Sequence, residues 1–352
     1  MQFGRFFAAA TCLSAAIYFP FCVAAETPHH HHRKTESLEK NHKKADSVKK
    51  TKASDKVAPE KVTRQARDSK GSGKQHASRQ KRVADFSPRR IGNPQLRSTA
   101  YLVQDLQTGE ILLQKNAEDV QPMASLTKLM TAMVVLDAHQ NMEEELDVTE
   151  DDVDHLKNSI SHLTVGSRLT RRELLHLALM ASENRAASAL ARNYPGGMPA
   201  FLVAVNTKAR NLGLRATHYD DGTGLNKGNV SSARDLATIV ATAAHYPLIH
   251  GFSTSTELTV ELKGGEKRAF HNTDALVKNS RWDIDVSKTG HINESGQCLV
   301  IKTRLVNRNL AIVLLNSQST SSRVEDAIRV RQWLETSSRN IAQNRENAVG
   351  MR

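Results

Sequence analysis

The sequence predicts an α+β domain with an antiparallel sheet that is covered by helices on both faces. Extended apolar segments occur near residue 100 and again near residue 300, and segments with helical spacing occupy most of the chain between them. The two late segments, 298–301 and 310–315, are apolar at nearly every position, which is typical of strands buried on both faces. A single sheet assembled from distant parts of the chain accounts for this pattern.

The first element of this domain is a predicted hairpin. Ala100–Asp105 and Ile111–Lys115 are its two strands, and they flank a short polar segment. Gly109 lies in that segment and supplies the turn, because glycine adopts backbone angles that other residues avoid. The sheet is therefore expected to start near residue 100.

Helices are predicted to fill the centre of the domain. Pro122 precedes a first, amphipathic helix, whose apolar residues at helical spacing are Leu126, Leu129, Met130, Met133 and Val134. Further helices are expected at 171–180, 185–192 and 199–212. Ser232 is a suitable N-cap for another helix that begins at Ala233, because its hydroxyl can accept a hydrogen bond from a free backbone N–H.

The end of the domain is predicted to contain a hairpin followed by a helix. The apolar segments 298–301 and 310–315 are joined through Asn307, Arg308 and Asn309. A final helix is predicted at 322–336. It could cover one face of the sheet through its apolar residues Val324, Ile328, Val330 and Leu334.

The positive charge of the chain is concentrated before this domain. The chain has 352 residues and a formal net charge of +12. Residues 26–97 contain 20 Lys and Arg residues but only 8 Asp and Glu residues, whereas the chain from residue 98 onward is close to neutral. Such a segment cannot bury enough apolar surface to offset chain entropy, so 26–97 is predicted to be a disordered basic linker. It is either a solvated spacer or a tether to an acidic surface, and the near-neutral domain is a poor candidate for nucleic-acid binding.

Residues 1–25 have the features of a secretory signal peptide. Arg5 precedes an apolar stretch that ends in small residues before Glu26. An uncleaved membrane anchor is the alternative, but Pro20 and the small residues at the exit favour cleavage. No later segment is long and apolar enough to cross a bilayer. The sequence therefore predicts export.

Neither a disulfide nor a metal or cofactor site is expected. Cys12 and Cys22 lie in the predicted signal peptide, and Cys298 is left alone in an apolar segment that is typical of a core. The 15 histidines include no His-Glu-x-x-His pattern, and the histidine run 29–32 offers at best a loose metal site. The acidic runs 143–145 and 150–152 are typical of solvated loops. There is also no glycine-rich phosphate loop and no Gly-x-Ser-x-Gly motif.

Three short motifs occur in one order and in fitting contexts. Ser125 opens the first predicted helix, Ser182 lies between two helices, and Lys288 ends an extended segment. Similar short patterns at 37–40, 47–50 and 338–340 lie in polar sequence without such contexts. Together the three motifs indicate one active site. They are Ser125-Leu126-Thr127-Lys128, Ser182-Glu183-Asn184 and Lys288-Thr289-Gly290.

Ser125 and Lys128 are placed for nucleophilic catalysis. Residues three apart share one face of a helix, so the Lys128 amine lies beside the Ser125 hydroxyl. Serine needs a base within hydrogen-bonding distance, and lysine is such a base when burial and a positive neighbour lower its pKa. Lys288 is expected to be that neighbour. The positive N-terminus of the helix also favours a developing alkoxide.

With these motifs, residues 98–340 resemble the serine penicillin-binding proteins and β-lactamases, and most of all the low-molecular-mass D-alanyl-D-alanine peptidases of the endopeptidase type. The resemblance extends to 122–138, 177–197, 223–225 and 287–291. It implies the β-lactamase/DD-peptidase-like fold with a helical subdomain and no cofactor. The predicted signal peptide then indicates a periplasmic location, and the polar residues 341–352 form a tail.

The resemblance also implies roles for the first two motifs. Ser125 attacks the D-alanyl carbonyl and forms an acyl-enzyme, and Lys128 takes its proton. Ser182 passes a proton toward the leaving amine. Asn184 holds the substrate amide.

For the third motif, the resemblance implies binding of the substrate. Lys288 and Thr289 bind the carboxylate just beyond the scissile bond, and Gly290 lets the strand approach the substrate closely. The backbone N–H groups of Ser125 and His291 form the oxyanion hole. The imidazole of His291 is expected to be a bystander.

Three alternatives to a D-alanyl-D-alanine endopeptidase follow from the same residues. A class A β-lactamase would carry Glu-x-x-Leu-Asn where this sequence has Gly222, so efficient β-lactam hydrolysis is not expected. A D-alanyl-D-alanine carboxypeptidase stays open, although a β-rich domain and an amphipathic membrane helix usually follow in that branch and 62 residues follow Gly290 here. A non-catalytic wall-binding or β-lactam-sensing module has no need of Lys128 and Ser182 beside Ser125.

The expected substrates are peptidoglycan stems, and above all D-alanyl–meso-diaminopimelyl cross-links. β-Lactams mimic the D-alanyl-D-alanine terminus and are expected to acylate Ser125 as covalent inhibitors. The basic linker has an acidic wall or outer-membrane surface as its candidate partner.

Overall fold

The structure is a computed structural model that describes residues 92–350. The predicted signal peptide at 1–25 and most of the predicted linker at 26–97 lie outside these residues. The segment before the first strand is tied down: the backbone N–H groups of Arg97 and Ser98 donate to the buried carboxylate of Asp326 at 2.7–3.0 Å. The chain is therefore fixed to the last helix just before the sheet begins.

Strands and α-helices are numbered in chain order over the described residues. The strands are β1 (Ala100–Asp105), β2 (Ile111–Lys115), β3 (Gln121–Pro122), β4 (Glu145–Asp147), β5 (Arg168–Thr170), β6 (Val230–Ser231), β7 (Glu257–Glu261), β8 (Lys267–His271), β9 (Asp283–Ile292), β10 (Gly296–Leu305) and β11 (Arg308–Ser317). The helices are α1 (Lys128–Asp137), α2 (Arg171–Met180), α3 (Asn184–Arg192), α4 (Gly197–Asn211), α5 (Ala233–Ala243), α6 (Pro247–Thr254) and α7 (Thr320–Gly350).

Five strands form one antiparallel sheet in the order β2-β1-β11-β10-β9. The first predicted hairpin is confirmed, because β1 pairs with β2 and Gly109 in the turn has a φ of 76°. The late hairpin turns at Val306 and Asn307 rather than through 307–309, since β11 already begins at Arg308. Both turn residues have positive φ, which matches the twist of the flanking strands. Strands from both ends of the domain therefore meet at β11, in the middle of the sheet.

Both faces of the sheet are covered, as the apolar segments predict. Leu102, Val300 and Val313 belong to the core that includes α5. Their neighbours along the strands, Val103 and Ile301 among them, belong to a second core that includes α7. Because successive side chains point to opposite faces, strands covered in this way show no polar alternation.

The last helix differs from the prediction in its length and in one residue. It runs to residue 350 instead of ending at 336, and Ile341 packs against the same core as Val330 and Leu334. Ile328 was predicted to face the sheet but is 36% exposed. Residues two apart lie on nearly opposite sides of a helix, so Ile328 cannot share the buried side with Val330.

The first helix, α1, is buried on every side, so its predicted amphipathic character was wrong. Its residues from Lys128 to Val135 are all buried, and the helix packs against α2, α3, α4 and α5. A helix that is covered all round belongs to the interior of a domain. Lys128, in its first turn, is 1% exposed as a result.

The remaining helices follow the predictions closely, whereas several smaller elements were missed, among them β3 to β6. α2 has the predicted bounds, and Ser232 caps α5 by accepting a hydrogen bond from the Asp235 N–H at 3.1 Å. The short helix α6 and the hairpin of β7 and β8 were not predicted. α6 has only eight residues, and the two strands are mostly exposed, so neither shows a sustained apolar period.

One carboxylate in the acidic runs is less solvated than predicted. The Asp152 side chain is fully buried and forms an ion pair with Arg192 at 2.8 Å. Glu144 pairs with the buried Arg171 at 2.6 Å, but its own side chain is exposed, as predicted. Within residues 92–350 there is no cluster of His, Cys, Asp and Glu that could hold a metal, and no helix that could span a membrane. Cys298 is a buried free thiol, and burial raises its pKa, which confirms that it is a core residue.

Candidate active site

Ser125 lies in a tight turn rather than in the first helix. The turn is a 3-10 helix, Ala124–Thr127, and α1 begins directly after it at Lys128. Ala124 has a φ of 49°, in the left-handed region that non-glycine residues seldom adopt. The turn thus holds the half-buried Ser125 side chain at the entrance to α1.

Two glycines allow other segments to pack against the backbone of this turn. A Cβ atom on Gly224 would lie 2.0 Å from the Ala124 carbonyl oxygen, and one on Gly290 would lie 3.1 Å from the Ser125 backbone nitrogen. Gly290 was predicted to allow close approach of the strand to the substrate, and here it also allows β9 to lie against the turn. From the sequence, Gly224 belonged only to the segment 223–225 that resembles the family, and the structure adds this packing role.

The amine of Lys128 contacts three oxygen atoms. Its Nζ lies 2.7 Å from Ser125 Oγ, 2.8 Å from Asn184 Oδ1 and 2.7 Å from the Thr223 carbonyl oxygen. As an ammonium group it donates to all three. As a neutral amine it donates two hydrogen bonds, to Asn184 and Thr223, and its lone pair can accept the Ser125 proton. The same geometry therefore serves both protonation states of a base.

Burial is what lowers the pKa of Lys128. The side chain is removed from water, and this lowers its pKa from 10.5 to about 7, although the charges of Asp221 and Glu183 act in the opposite direction. The charge of Lys288 was predicted to lower the pKa of Lys128, but it is the charge of Lys128 that lowers the pKa of Lys288. Burial, followed by the charges of Lys128 and Arg323, holds the pKa of Lys288 well below its usual value. A positive charge at Lys128 disfavours a second positive charge at Lys288.

Ser182 joins the helical side of the site to the strand side. It lies between α2 and α3 with a φ of 61°, and its Oγ accepts a hydrogen bond of 2.8 Å from Lys288 Nζ. We use "helical side" for Ser182, Asn184 and the loop 153–167, and "strand side" for the residues of β9. The second and third motifs therefore meet in space, as the sequence predicts.

Asn184 orients its amide between two polar groups. It is the first residue of α3, its Oδ1 accepts from Lys128, and its Nδ2 donates to Ser159 Oγ at 2.9 Å. Ser159 was not predicted, because its loop carries no motif and no regular period. The loop is held by Asp154, which accepts from the backbone N–H groups of Leu156, Lys157 and Ser159 at 2.8–2.9 Å.

The third motif lies within β9, which is an edge strand. Lys288 does not end the extended segment as predicted, because β9 continues to Ile292. Thr289 Oγ1 lies 2.6 Å from Thr273 Oγ1. The exposed His291 side chain has its Nδ1 3.2 Å from the Gly296 carbonyl oxygen, so the imidazole contacts its own hairpin.

Arg323 is a third cation near this site that sequence reasoning missed. It lies in the first turn of α7, is 4% exposed, and donates to the Cys298 carbonyl oxygen at 3.0 Å. Its Nε is buried and has no hydrogen-bond partner within residues 92–350. No short motif could have revealed it, because its charge acts on Lys288 only once α7 packs on β10 and β11.

The arrangement combines a nucleophile with an anion-binding region. Ser125 has a buried amine as its base, while Lys288 donates to the Ser182 hydroxyl and the charge of Arg323 acts on Lys288. Such a site can attack a carbonyl group whose neighbouring residue carries a carboxylate.

Comparison with known proteins agrees with this chemistry. A profile of the D-alanyl-D-alanine carboxypeptidase family of S11 peptidases matches residues 87–319. The chain is 43% identical over 258 residues to a D-alanyl-D-alanine endopeptidase of Pseudomonas aeruginosa, with 72% of this chain and 83% of that protein covered. It is 39% identical over 244 residues to a D-alanyl-D-alanine endopeptidase of Escherichia coli, with 69% and 79% covered.

A solved structure supports the fold. The crystal structure of the Streptomyces K15 DD-transpeptidase matches with a TM-score of 0.64 and 28% identity, and the match covers 69% of this chain and 98% of that one. The predicted α+β fold of the β-lactamase/DD-peptidase kind is therefore confirmed.

Proposed function

The chain belongs to the D-alanyl-D-alanine carboxypeptidase family of S11 serine peptidases, and we propose that it is an endopeptidase of this family. It hydrolyses D-alanyl–meso-diaminopimelyl cross-links of peptidoglycan through an acyl-enzyme on Ser125. The observation that carries the proposal is the buried Lys128 amine, 2.7 Å from Ser125 Oγ and joined through Asn184 to the helical side. The two relatives named D-alanyl-D-alanine endopeptidase favour the cross-link as substrate.

Acylation begins with Lys128 neutral. Ser125 Oγ bonds to the carbonyl carbon of the D-alanyl residue while its proton moves to Lys128 Nζ. The negative charge that develops on the carbonyl oxygen accepts hydrogen bonds from the backbone N–H groups of Ser125 and His291. A donor of this kind is typically worth about 10²–10³ in rate.

The acyl-enzyme forms when the C–N bond breaks. The leaving amine takes the proton that Lys128 holds, with the Ser182 hydroxyl as the relay. Water then adds to the ester, Lys128 accepts a proton from it, and the Ser125 hydroxyl is regenerated as the D-alanyl carboxylate leaves.

The strand side binds the carboxylate beyond the scissile bond. Lys288 Nζ donates to Ser182 Oγ and to the Thr289 carbonyl oxygen, and an ammonium group has one more donor than these two acceptors use. A substrate carboxylate also restores the positive charge of Lys288, because an opposite charge favours the ammonium form. Thr289 and the buried Arg323 add to this anion site.

A D-alanyl-D-alanine carboxypeptidase is the second candidate, because the matching family profile carries that description. Mass spectrometry of defined muropeptides after incubation with the protein separates the two. We expect cross-linked dimers to be lost while pentapeptide stems keep their terminal D-alanine, and no change with Ser125→Ala. Loss of terminal D-alanine with intact dimers would instead select the carboxypeptidase.

We also propose an extracytoplasmic, periplasmic location for the protein. Residues 1–25 then act as a cleaved signal peptide, 26–97 as a basic linker and 98–340 as the peptidase domain, followed by the tail at 341–352. The bacterial cell-wall enzymes among its relatives support this location.

Removal of 26–91 tests the linker while keeping the contacts of Arg97 and Ser98 with Asp326. We expect unchanged turnover of soluble muropeptides and weaker binding to whole sacculi, with a difference that shrinks at high salt because salt screens exposed charges. Unchanged binding to sacculi would make the linker a spacer.

A further inference from the structure

An ion pair links the helical side of the site to the turn at the end of the strand side. Lys157 lies in the loop 153–167, two residues before Ser159, whose hydroxyl contacts the Asn184 amide. Glu294 lies in the turn between β9 and β10, four residues after Gly290. The two side chains form a salt bridge from one side to the other. The loop and the turn are far apart in the sequence, and this salt bridge connects them.

The pair is accessible to a ligand. The side chains of Lys157 and Glu294 are 27% and 35% exposed. The hydrogen bond from Lys157 lowers the pKa of Glu294, and Lys227, from the loop that contains Gly224, adds a second positive charge that acts in the same direction. Exposed ion pairs contribute little to folding stability, so a ligand can take the place of either partner without unfolding the site.

The position of Glu294, two residues after the end of β9, fits one neighbouring residue of a bound peptide. β9 is an edge strand, and an extended peptide can pair with such an edge. If its carbonyl is held at Ser125 and its terminal carboxylate at Lys288, the peptide runs toward Ile292. At about 3.3 Å per residue, the residue that precedes the scissile D-alanine lies beside Ile292, within reach of Glu294 through a side chain of several carbons.

We propose that Lys157 and Glu294 form the subsite for the charged end of a diamino-acid side chain on that preceding residue. Glu294 binds its ammonium group and Lys157 binds its carboxylate, so one neutral ion pair is exchanged for two complementary contacts. The preceding residue of a peptidoglycan stem with meso-diaminopimelate ends in such a group. The inference rests on the proposed function and extends it to recognition of the donor stem.

The test uses three peptides that differ only in this side chain. Meso-diaminopimelate has both charges, lysine has the ammonium group alone, and norleucine has neither. For the unaltered chain we expect kcat/KM to fall in that order, by about tenfold at each step. Lys157→Met is expected to bring the diaminopimelate peptide down to the level of the lysine peptide. Glu294→Gln is expected to bring the lysine peptide down to the level of the norleucine peptide.

Two controls show whether the Lys157–Glu294 salt bridge recognises the peptide or only stabilises the fold. Lys302 and Asp285 form a similar salt bridge between β10 and β9, with side chains 21% and 35% exposed, so Lys302→Met is expected to leave the ratios between peptides unchanged. The double variant Lys157→Glu with Glu294→Lys keeps a salt bridge but exchanges its ends, and we expect it not to restore the preference. Restored kinetics in this variant, or unchanged peptide ratios in the single variants, would overturn the subsite.

Failure of the subsite and failure of the proposed function give different results. If the unaltered chain is acylated at Ser125 by benzylpenicillin but does not distinguish the three peptides, the subsite alone is wrong. If Ser125 is not acylated at all, the proposed function is wrong.

Discussion

Two buried lysines, Lys128 at the start of α1 and Lys288 on the strand side, have different surroundings. Both Lys128 and Lys288 are 1% exposed. Lys128 has three oxygen partners and the charges of two carboxylates near it. Lys288 has two oxygen partners, and the charges of Lys128 and Arg323 act on it against the single carboxylate of Asp274.

This difference distinguishes a base from an anion receptor. At Lys128 the partners are complete, and the carboxylates keep the pKa from falling below the range where a base is useful. At Lys288 the third N–H of an ammonium group has no protein acceptor among the described residues, and two cations act against one carboxylate, so a bound substrate anion stabilises the charged form. The same residue type therefore serves two tasks because the fold places different charges around it.

The largest expected effect comes from removing the base while keeping the charge. Lys128→Arg retains a cation beside Ser125, but a guanidinium cannot give up its proton in a protein. We expect acylation by fluorescent penicillin to slow by about 10²–10⁴. Stopped-flow or gel labelling measures this rate, and Ser125→Ala is the unlabelled control. Near-normal labelling of Lys128→Arg would assign the base to another residue.

The same replacement on the strand side is expected to be mild. Lys288→Arg keeps a positive donor for the substrate carboxylate, whereas Lys288→Met removes it. We expect kcat/KM for a peptide substrate to fall by about 10–100-fold in Lys288→Met and by much less in Lys288→Arg. An equal loss in both variants would show that the shape of the lysine, and not its charge, is what the strand side needs.

The smallest expected effect is a shift in pH dependence. Only neutral Lys128 can accept the Ser125 proton, so the acylation rate is expected to rise with pH through about 7. The nearby Asp221 carboxylate favours the ammonium form and raises this pKa, so Asp221→Asn is expected to move the rise to lower pH, by up to about one unit. A rise at unchanged pH in Asp221→Asn, measured by acylation rates from pH 5 to 9, would contradict the influence of Asp221.

Local sequence predicted the parts of the site that depend on short spacing. Ser125 and Lys128 are three residues apart, so their contact follows from helical geometry once the turn and α1 join. The predicted order of the motifs also indicated that Ser182 and Lys288 meet, which the Lys288–Ser182 hydrogen bond bears out. Each of these motifs is defined by a few residues that are adjacent in the sequence.

What the sequence did not predict depends on contacts across the fold. Arg323 approaches the site because α7 packs on the sheet, and Ser159 does so because Asp154 shapes its loop. The full burial of α1 was missed because Lys128 and Thr131 are polar, and their partners Thr223 and Gly222 come from a distant loop. Spacing alone carries no information about such partners.

The hydrogen bonds that Arg97 and Ser98 donate to Asp326 have a mechanical consequence. If the preceding chain is held at a surface, any tension along it reaches the hydrogen bonds from Arg97 and Ser98 before it reaches β1. The load then passes into α7, which lies across one face of the sheet. Tension on the basic linker therefore does not directly separate the strands of the sheet.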